Sequence, residues 1–500
     1  MNEHRFDLIL LLLFIAGGLL IFTPIVQAGT TWYVDDDAPN DPGPGDPDVS
    51  DPLEDGSTDH PFDAIQEGID AATGGDTVLV ADGTYTGTGN RDIDFGGKAI
   101  TVRSENGLHH CVIDIEGDNY SGFTFFSGEG RDSVAQGFTI KTMEGAGRGQ
   151  PGIYCDGSSP TIMNNMITGF KVYDAGGGIR CILNASPLIV GNIIYNNMAD
   201  DYPDPAFGGG IYCDRDSAPI IINNTIEGNY ADWLGGGIFC SSAPATILNN
   251  VITCNESGSD GGGIFCHESA AIIKNNIISW NNSSGTGGGI YCHTEGDPAI
   301  TGNVIIGNEA GWGGGVSFYS AGSSIFKNNL IVGNTAIERG GGIYYYWLNP
   351  LHVINNTIAG NTAPTGGGIY CDGADLTVLN SIFWNNAPDG IFVNSGMVTI
   401  TYSDVQGGYP GTGNIDADPI FVRGPLGSYY LSQIAAGQGQ NSPCVDTGDG
   451  PVCLSISANP AVFGTTRTDL VPDSGIIDMG YHYPLRGIQI PPGALLEEIR

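Results

Sequence analysis

Cations are scarce in this 500-residue chain: 17 Lys and Arg stand against 55 Asp and Glu, a formal charge of −38. Nucleic-acid binders need Lys and Arg to neutralise phosphate, so DNA and RNA are excluded as partners. The same charge disfavours an unaided grip on a polyanionic sugar. Long apolar runs are missing after residue 22. The one run, LILLLLFIAGGLLIF at 8–22, is shorter than the ~20 residues of a membrane span. It follows Arg5 and precedes Val26 and Ala28, a pattern that suits signal-peptidase cleavage near Ala28. The expectation is a secreted or cell-surface protein with no membrane span in the mature chain. A collagen-type triplet is also absent although 79 residues are Gly, so the glycine must serve turns that recur in a folded chain.

Those turns have a period. GGGIYC or a close variant ends at residues 155, 181, 213, 240, 266, 292, 318, 345 and 371, mostly 26 or 27 residues apart. Behind each copy comes a block exemplified by Ile273, Asn276, Ile278 and Asn281. Each repeat therefore reads as three short strands. In the first, Ile points in, an aromatic out and Cys in; the other two bring isoleucines inward on either side of an Asn. One position is Ile throughout, at 167, 194, 226, 252, 278, 305, 331, 358 and 382. Like residues recurring at this interval stack about 4.8 Å apart when each repeat is one coil. A propeller needs four strands per ~40 residues, and a leucine-rich repeat has its own consensus. The expected fold is all-β: a right-handed single-stranded parallel β-helix with three strands per coil of about 26 residues.

Two asparagine columns accompany the isoleucines. One runs from Asn165 through Asn276 to Asn356 and Asn380, the other from Asn197 through Asn281 to Asn361 and Asn385. An amide offers donors and an acceptor together, so it serves the turn backbone and the amide of the next coil at once. Loss of Asn276 is expected to strand turn groups at ~1–3 kcal/mol. The chain then divides into a signal peptide (1–28), an acidic Pro/Gly-rich arm (29–60), a capping helix (61–75) with Phe62, Ile65 and Ile69 on one face, the β-helix (76–410), a closing module (411–484) and a tail (485–500). The helix covers the open end of the strand stack, which would otherwise invite edge pairing.

The GGGI block followed by I-x-G-N resembles the repeats of bacterial polymorphic outer-membrane proteins. More broadly, the coil pattern is similar to right-handed β-helix proteins of the pectin-lyase-like superfamily. The opening WYVDDD…HPFDAIQEGIDAATGGDTVLVADGTY is similar to the entry of secreted bacterial β-helix proteins, and Asp416–Pro419, Ser442–Gly448 and Asp478–Gly480 resemble their closing modules. The expected function is that of a non-catalytic protein that binds a polysaccharide or cell-surface glycan, or acts as a structural or adhesive surface element. The resemblance implies an alternative, a pectate-type lyase in which carboxylates hold Ca²⁺, the ion acidifies the proton beside a uronate, and Arg or Lys is the base.

Several residues could carry either function. Cys155, Cys181, Cys213, Cys240, Cys266, Cys292 and Cys371 share one inward position and read as small core hydrophobes. Cys444 and Cys453 flank a short loop in an exported chain and are the expected disulfide. The outward position next to the Cys column carries Tyr154, Tyr212, Phe239, Phe265, Tyr291, Tyr344 and Tyr370, which either stabilise the sheet by packing or form an exposed platform for sugar rings. Arg180 interrupts this strip, with Asp156 and Asp214 two residues beyond it on the adjacent coils, and these three are the candidate catalytic residues of a lyase. The one long inter-strand segment, 198–207, supplies Asp200, Asp201 and Asp204 as candidate Ca²⁺ ligands. His267 and His293 fall side by side, without placed carboxylates to complete a metal site.

Overall fold

The computed structural model describes residues 29–484 except 39–48, 50, 118, 143–148, 202–203, 295, 321–324, 348 and 451–463. The signal peptide, the tail and Cys453 therefore lie outside the described residues. Among the described residues, no helix is long and apolar enough to cross a membrane.

The chain winds as a parallel β-solenoid with three main walls. The first has 14 strands, from Thr31–Val34 to Val398–Thr401; the second has 12, from Ile93–Asp94 to Ile391–Val393; the third has 13, from Gly83–Tyr85 to Asp404–Val405. Each strand pairs in parallel with its counterpart one coil away. Ile264–His267, for example, aligns Cys266 with Cys292 and Phe265 with Tyr291. The inward residues of all three walls form one continuous core: Ile167, Ile194, Ile226, Ile252, Ile278, Ile305, Ile331 and Ile358 stack without solvent exposure, beside the seven-member Cys column. Burial pushes the Cys155 thiol well above its ordinary pKa.

The asparagines bond as their chemistry demands. Asn276 donates its backbone N–H and one Nδ2 hydrogen to Asn303 Oδ1 (2.9 and 3.0 Å) and the other Nδ2 hydrogen to Ile247 O (2.9 Å), while its own Oδ1 accepts the same pair from Asn250. The preceding Asn275 bends the chain with φ +55°, a left-handed conformation that asparagine tolerates. The paired Asn residues of the repeat thus divide the work, the first turning the corner and the second filling it.

Three features differ from the sequence reading. Thr31–Val34, placed in the arm, pairs with Thr77–Val80 and begins the first wall. A fourth sheet of seven short strands, from Lys171–Val172 to Thr335–Arg339, closes the middle coils. In the coil after residue 371, the Ile column continues through Phe383 rather than Ile382, because Ile358 pairs with Phe383. The asparagine columns shift with it, so that Ser381 and Asn386 take the positions expected for Asn380 and Asn385.

The stack is covered at its start and along one side near its end. At the start, the helix Ile65–Ala71 buries Ile65 and Ile69 against the core. Its first turn is held by Glu67, which accepts the Ala64 N–H (3.1 Å), and by Asn90 Oδ1, which accepts the Ile65 N–H (2.9 Å). Phe62 precedes the helix and packs on Trp32 at the edge of the same core. At the far end, the closing module lies on the outer face of the third wall. There Tyr430, Tyr481 and Tyr483 cover Ile306, Leu330, Val332 and Ala359, and Asn328 exchanges two hydrogen bonds with the backbone of His482 (2.7 and 3.0 Å). Cys444 is buried and donates its thiol to Asp404 Oδ2 at 3.2 Å.

The module is acid-favoured. Burial raises Asp478 of the module, and Asp404 of the wall strand that meets Cys444, to a pKa of about 6 each. Burial works to lower His482, but Asp473 at 2.7 Å outweighs it and the net shift is upward. A carboxyl raised above its unfolded value stabilises the fold fully below that value and loses the contribution as pH rises through its folded pKa. The melting temperature of the closing module is therefore expected to fall between pH 4 and pH 7, a trend that differential scanning calorimetry reads directly; Asp478→Asn should flatten it.

Candidate functional site

The outer face of the second wall carries two files of side chains. The inner file is the predicted aromatic strip. In it, Phe239, Phe265, Tyr291 and Tyr370 are 6% exposed or less, while Tyr154, Tyr212 and Tyr344 are half-buried. Four of the seven rings are therefore packed rather than presented, and the cause lies at the glycine corner. Gly261 and Gly287 take φ +67° and +70°, and a Cβ on either would stand 2.7 or 2.6 Å from the Cβ of Phe265 or Tyr291. Without those Cβ atoms the corner closes over the ring beside it. Side chains from the corner ridge complete the cover: Phe207 meets Phe239 at 5.1 Å and Arg339 donates to the Tyr370 hydroxyl at 3.2 Å.

The rings also use each other's faces. Tyr212 and Phe239 lie 5.2 Å apart and 1° from parallel, Phe239 and Phe265 5.4 Å and 4°. A ring stacked on both sides has no free face for a pyranose, so packing accounts for most of this file.

The outer file, two residues further along each strand, is more accessible. In register, it runs Asp214, Ser241, His267, His293, Tyr319, Tyr346 and Asp372. His267 and His293 stack at 5.3 Å, His293 and Tyr319 at 5.0 Å, Tyr319 and Tyr346 at 5.5 Å. Burial, and next the neighbouring His267, lower the pKa of His293. Beside Tyr346, Trp347 is tilted 54° out of the stack and 43% exposed. Its indole breaks the deck of rings and presents apolar surface to solvent. Sequence reasoning missed Tyr319, Tyr346 and Trp347; the first two sit at the same repeat offset as His267 and His293, so the signal was present.

Around Arg180 the strands bring the candidates together on neighbouring rungs, between Tyr154 and Tyr212. Each is already engaged. Arg180 Nη2 contacts Asp174 Oδ2 at 2.7 Å and its guanidinium lies 5.6 Å from the Tyr212 ring centre. Asp156 accepts from the Tyr154 hydroxyl at 3.3 Å and Asp214 from the Tyr212 hydroxyl at 2.9 Å. Asp174, which the sequence did not single out, neutralises the one cation of the strip.

In the 198–207 segment, Asp200 lies 3.7 Å from Lys171 Nζ, and Asp201 and Asp204 close a turn through the Asp204 N–H and Asp201 O (2.6 Å). Among the described residues, the acidic, His or Cys group whose ligand atoms all fall within 4.8 Å of one another is Asp35, Asp36 and Asp37. Asp200, Asp201 and Asp204 do not converge in that way, and so fit Ca²⁺ poorly as a joint ligand set. The Cys444–Cys453 pair cannot be placed, since Cys453 lies outside the described residues.

A family model described as the right-handed β-helix region matches residues 65–278, 208–358 and 262–417, together well over half of the chain. The chain belongs to the right-handed β-helix family. No curated protein matches its sequence. Among solved structures, it is similar to one described as the complex of XylC with xylose, at 13% identity and TM-score 0.45, over 80% of this chain and 88% of that one. It is also similar to pectate lyase Pel9A, at 16% identity and TM-score 0.40, over 90% of this chain and 97% of that one.

Proposed function

We propose that this is an exported, non-catalytic β-helix protein that holds a neutral polysaccharide or cell-surface glycan along the outer file of its second wall. The observation that carries the reading is Trp347, a 43% exposed indole beside an in-register row of Tyr346, Tyr319, His293 and His267. An apolar plate next to a row of hydroxyl and imidazole groups suits a ligand that is apolar on its ring faces and hydroxylated at its rim. The paucity of cations favours an uncharged chain over a uronate. Export supports the same reading, through the signal-like segment ending near Ala28.

The test is retardation in native gels cast with soluble β-glucan, xylan or galactomannan. At least one should slow the protein, and Trp347→Ala should weaken that binding about tenfold or more, as expected for an exposed aromatic anchor. Unchanged retardation in Trp347→Ala would remove this face from the proposal. A Ca²⁺-dependent lyase centred on Arg180 is the competing reading, and it requires that Asp174 release the guanidinium.

A further inference from the structure

The two asparagine ladders end differently. The first is capped: Asn356 N–H passes to Ser381 Oγ, Ser381 N–H to Ser403 Oγ and Ser403 N–H to Asn414 Oδ1, each at 3.1 Å, and Asn414 Nδ2 turns back to Tyr409 O. The second stops at Asn386. That residue accepts from Asn361 N–H and Nδ2 (3.0 and 2.9 Å) and donates one Nδ2 hydrogen to Ile358 O (2.8 Å). On earlier rungs, from Asn197 to Asn361, the backbone N–H and the other Nδ2 hydrogen both go to the next asparagine Oδ1, as from Asn334 to Asn361 (2.9 and 2.9 Å). Beyond Asn386 there is no next asparagine.

Asn386 instead lines a cavity of about 450 Å³ at the end of the solenoid. Buried Phe383 and Val405 lie at its base; half-buried Tyr409 and exposed Asp389 and Gln406 border it. Gln406 Oε1 already accepts the Asn385 N–H at 2.6 Å, which leaves its Nε2 as a donor. The volume lies within the ~300–1,000 Å³ of small-molecule sites.

We propose that this cavity is a second binding site, separate from the wall, and that it takes one residue of a neutral sugar. The ligand atom that replaces the missing asparagine oxygen must accept two N–H donors from Asn386. An oxygen that does so and also donates to Asp389 is a hydroxyl. The lining contains no cation, and Asp389 repels carboxylate and phosphate, so anionic ligands are disfavoured. The apolar base and the Tyr409 ring suit the C–H face of a pyranose, and the amides of Asn386 and Gln406 suit its hydroxyls.

The experiment is isothermal titration of the full chain with D-glucose, D-galactose, D-xylose and cellobiose, with D-galacturonate as the anionic control. At least one neutral sugar should bind one-to-one with a Kd in the millimolar range or tighter. Asp389→Ala and Gln406→Ala, both at exposed positions, should weaken it about tenfold each, the fold-change of one lost hydrogen bond, and Asp389→Ala should leave the melting temperature unchanged. Trp347→Ala, at the wall, should leave it unaltered. Absence of saturable binding to all four neutral sugars would overturn the proposal, as would tighter binding of galacturonate. Binding lost in Trp347→Ala and kept in both cavity variants would assign the sugar to the wall and overturn it equally. The wall reading stands or falls separately, on polymer retardation.

Discussion

Asn276→Ala is expected to lower the unfolding free energy by about 4 kcal/mol, since each stranded buried group costs roughly 1–3 kcal/mol. Alanine at this position abandons the Asn250 N–H and Nδ2 on one side and Ile247 O on the other, while its backbone N–H still serves Asn303 Oδ1. Asn276 itself is 1% exposed, so water does not replace it. The sequence alone implied a smaller loss, because it showed a corner residue and not five bonds reaching three coils. Asn276→Asp should be worse at neutral pH, since it keeps the acceptor, removes both side-chain donors and buries a charge. Urea titration followed by far-UV circular dichroism reads both variants. An unchanged midpoint for Asn276→Ala would show that the ladder follows from stacking instead of supporting it.

A comparable loss, about 4 kcal/mol or more, is expected for Gly262→Ala, a size reserved for changes that the backbone cannot absorb. A Cβ there would stand 2.3 Å from Asn282 O, 2.6 Å from its carbonyl carbon and 2.7 Å from Gly288 O. All three are backbone atoms of the next coil, fixed by the parallel pairing of the walls. Relief would require separating two rungs and breaking their hydrogen bonds. Gly130→Ala provides the control, since nothing lies within 4 Å of a Cβ there. Thermal melts should separate the two sharply; equal melting temperatures would mean that the middle glycine of the corner is replaceable.

The sequence exposed the solenoid because its signals are local and repeated. Ile278 and Cys266 recur at a fixed interval, and a recurring inward residue needs only its neighbours on the next coils to be explained. The misassigned rung shows where that reasoning stops. Ile382 and Phe383 are both apolar, and repeat spacing favoured Ile382 for the core. In the fold Ile382 faces out and packs with Leu431, Cys444 and Met479 of the closing module, a contact no periodicity within the coils contains. The fourth sheet escaped notice for a different reason, since strands such as Glu256–Ser257 and Asn282–Ser283 are too short to show alternation.

The site was legible to a lesser degree. Outward positions could be counted, but exposure could not, because the cover over Phe239 comes from Phe207 and the glycine corner. Trp347 stands two residues past the repeat motif, at φ +106°, where the strand has already ended, so pattern reading passed over it. Repeat spacing placed Arg180 on the strip beside Asp156 and Asp214, but its partner, Asp174, lies six residues earlier and outside the repeat motif.

The wall is proposed to bind glycan without cleaving it. The most direct measurement incubates the purified protein with polygalacturonate and with neutral polysaccharides in the presence of Ca²⁺, following the ultraviolet absorbance of unsaturated product together with retention of the protein on each polymer. Retention on a neutral polymer, weakened in Trp347→Ala, with no product from any of them, is the predicted result. Unsaturated product that forms with the wild-type chain and disappears in Arg180→Ala would contradict it.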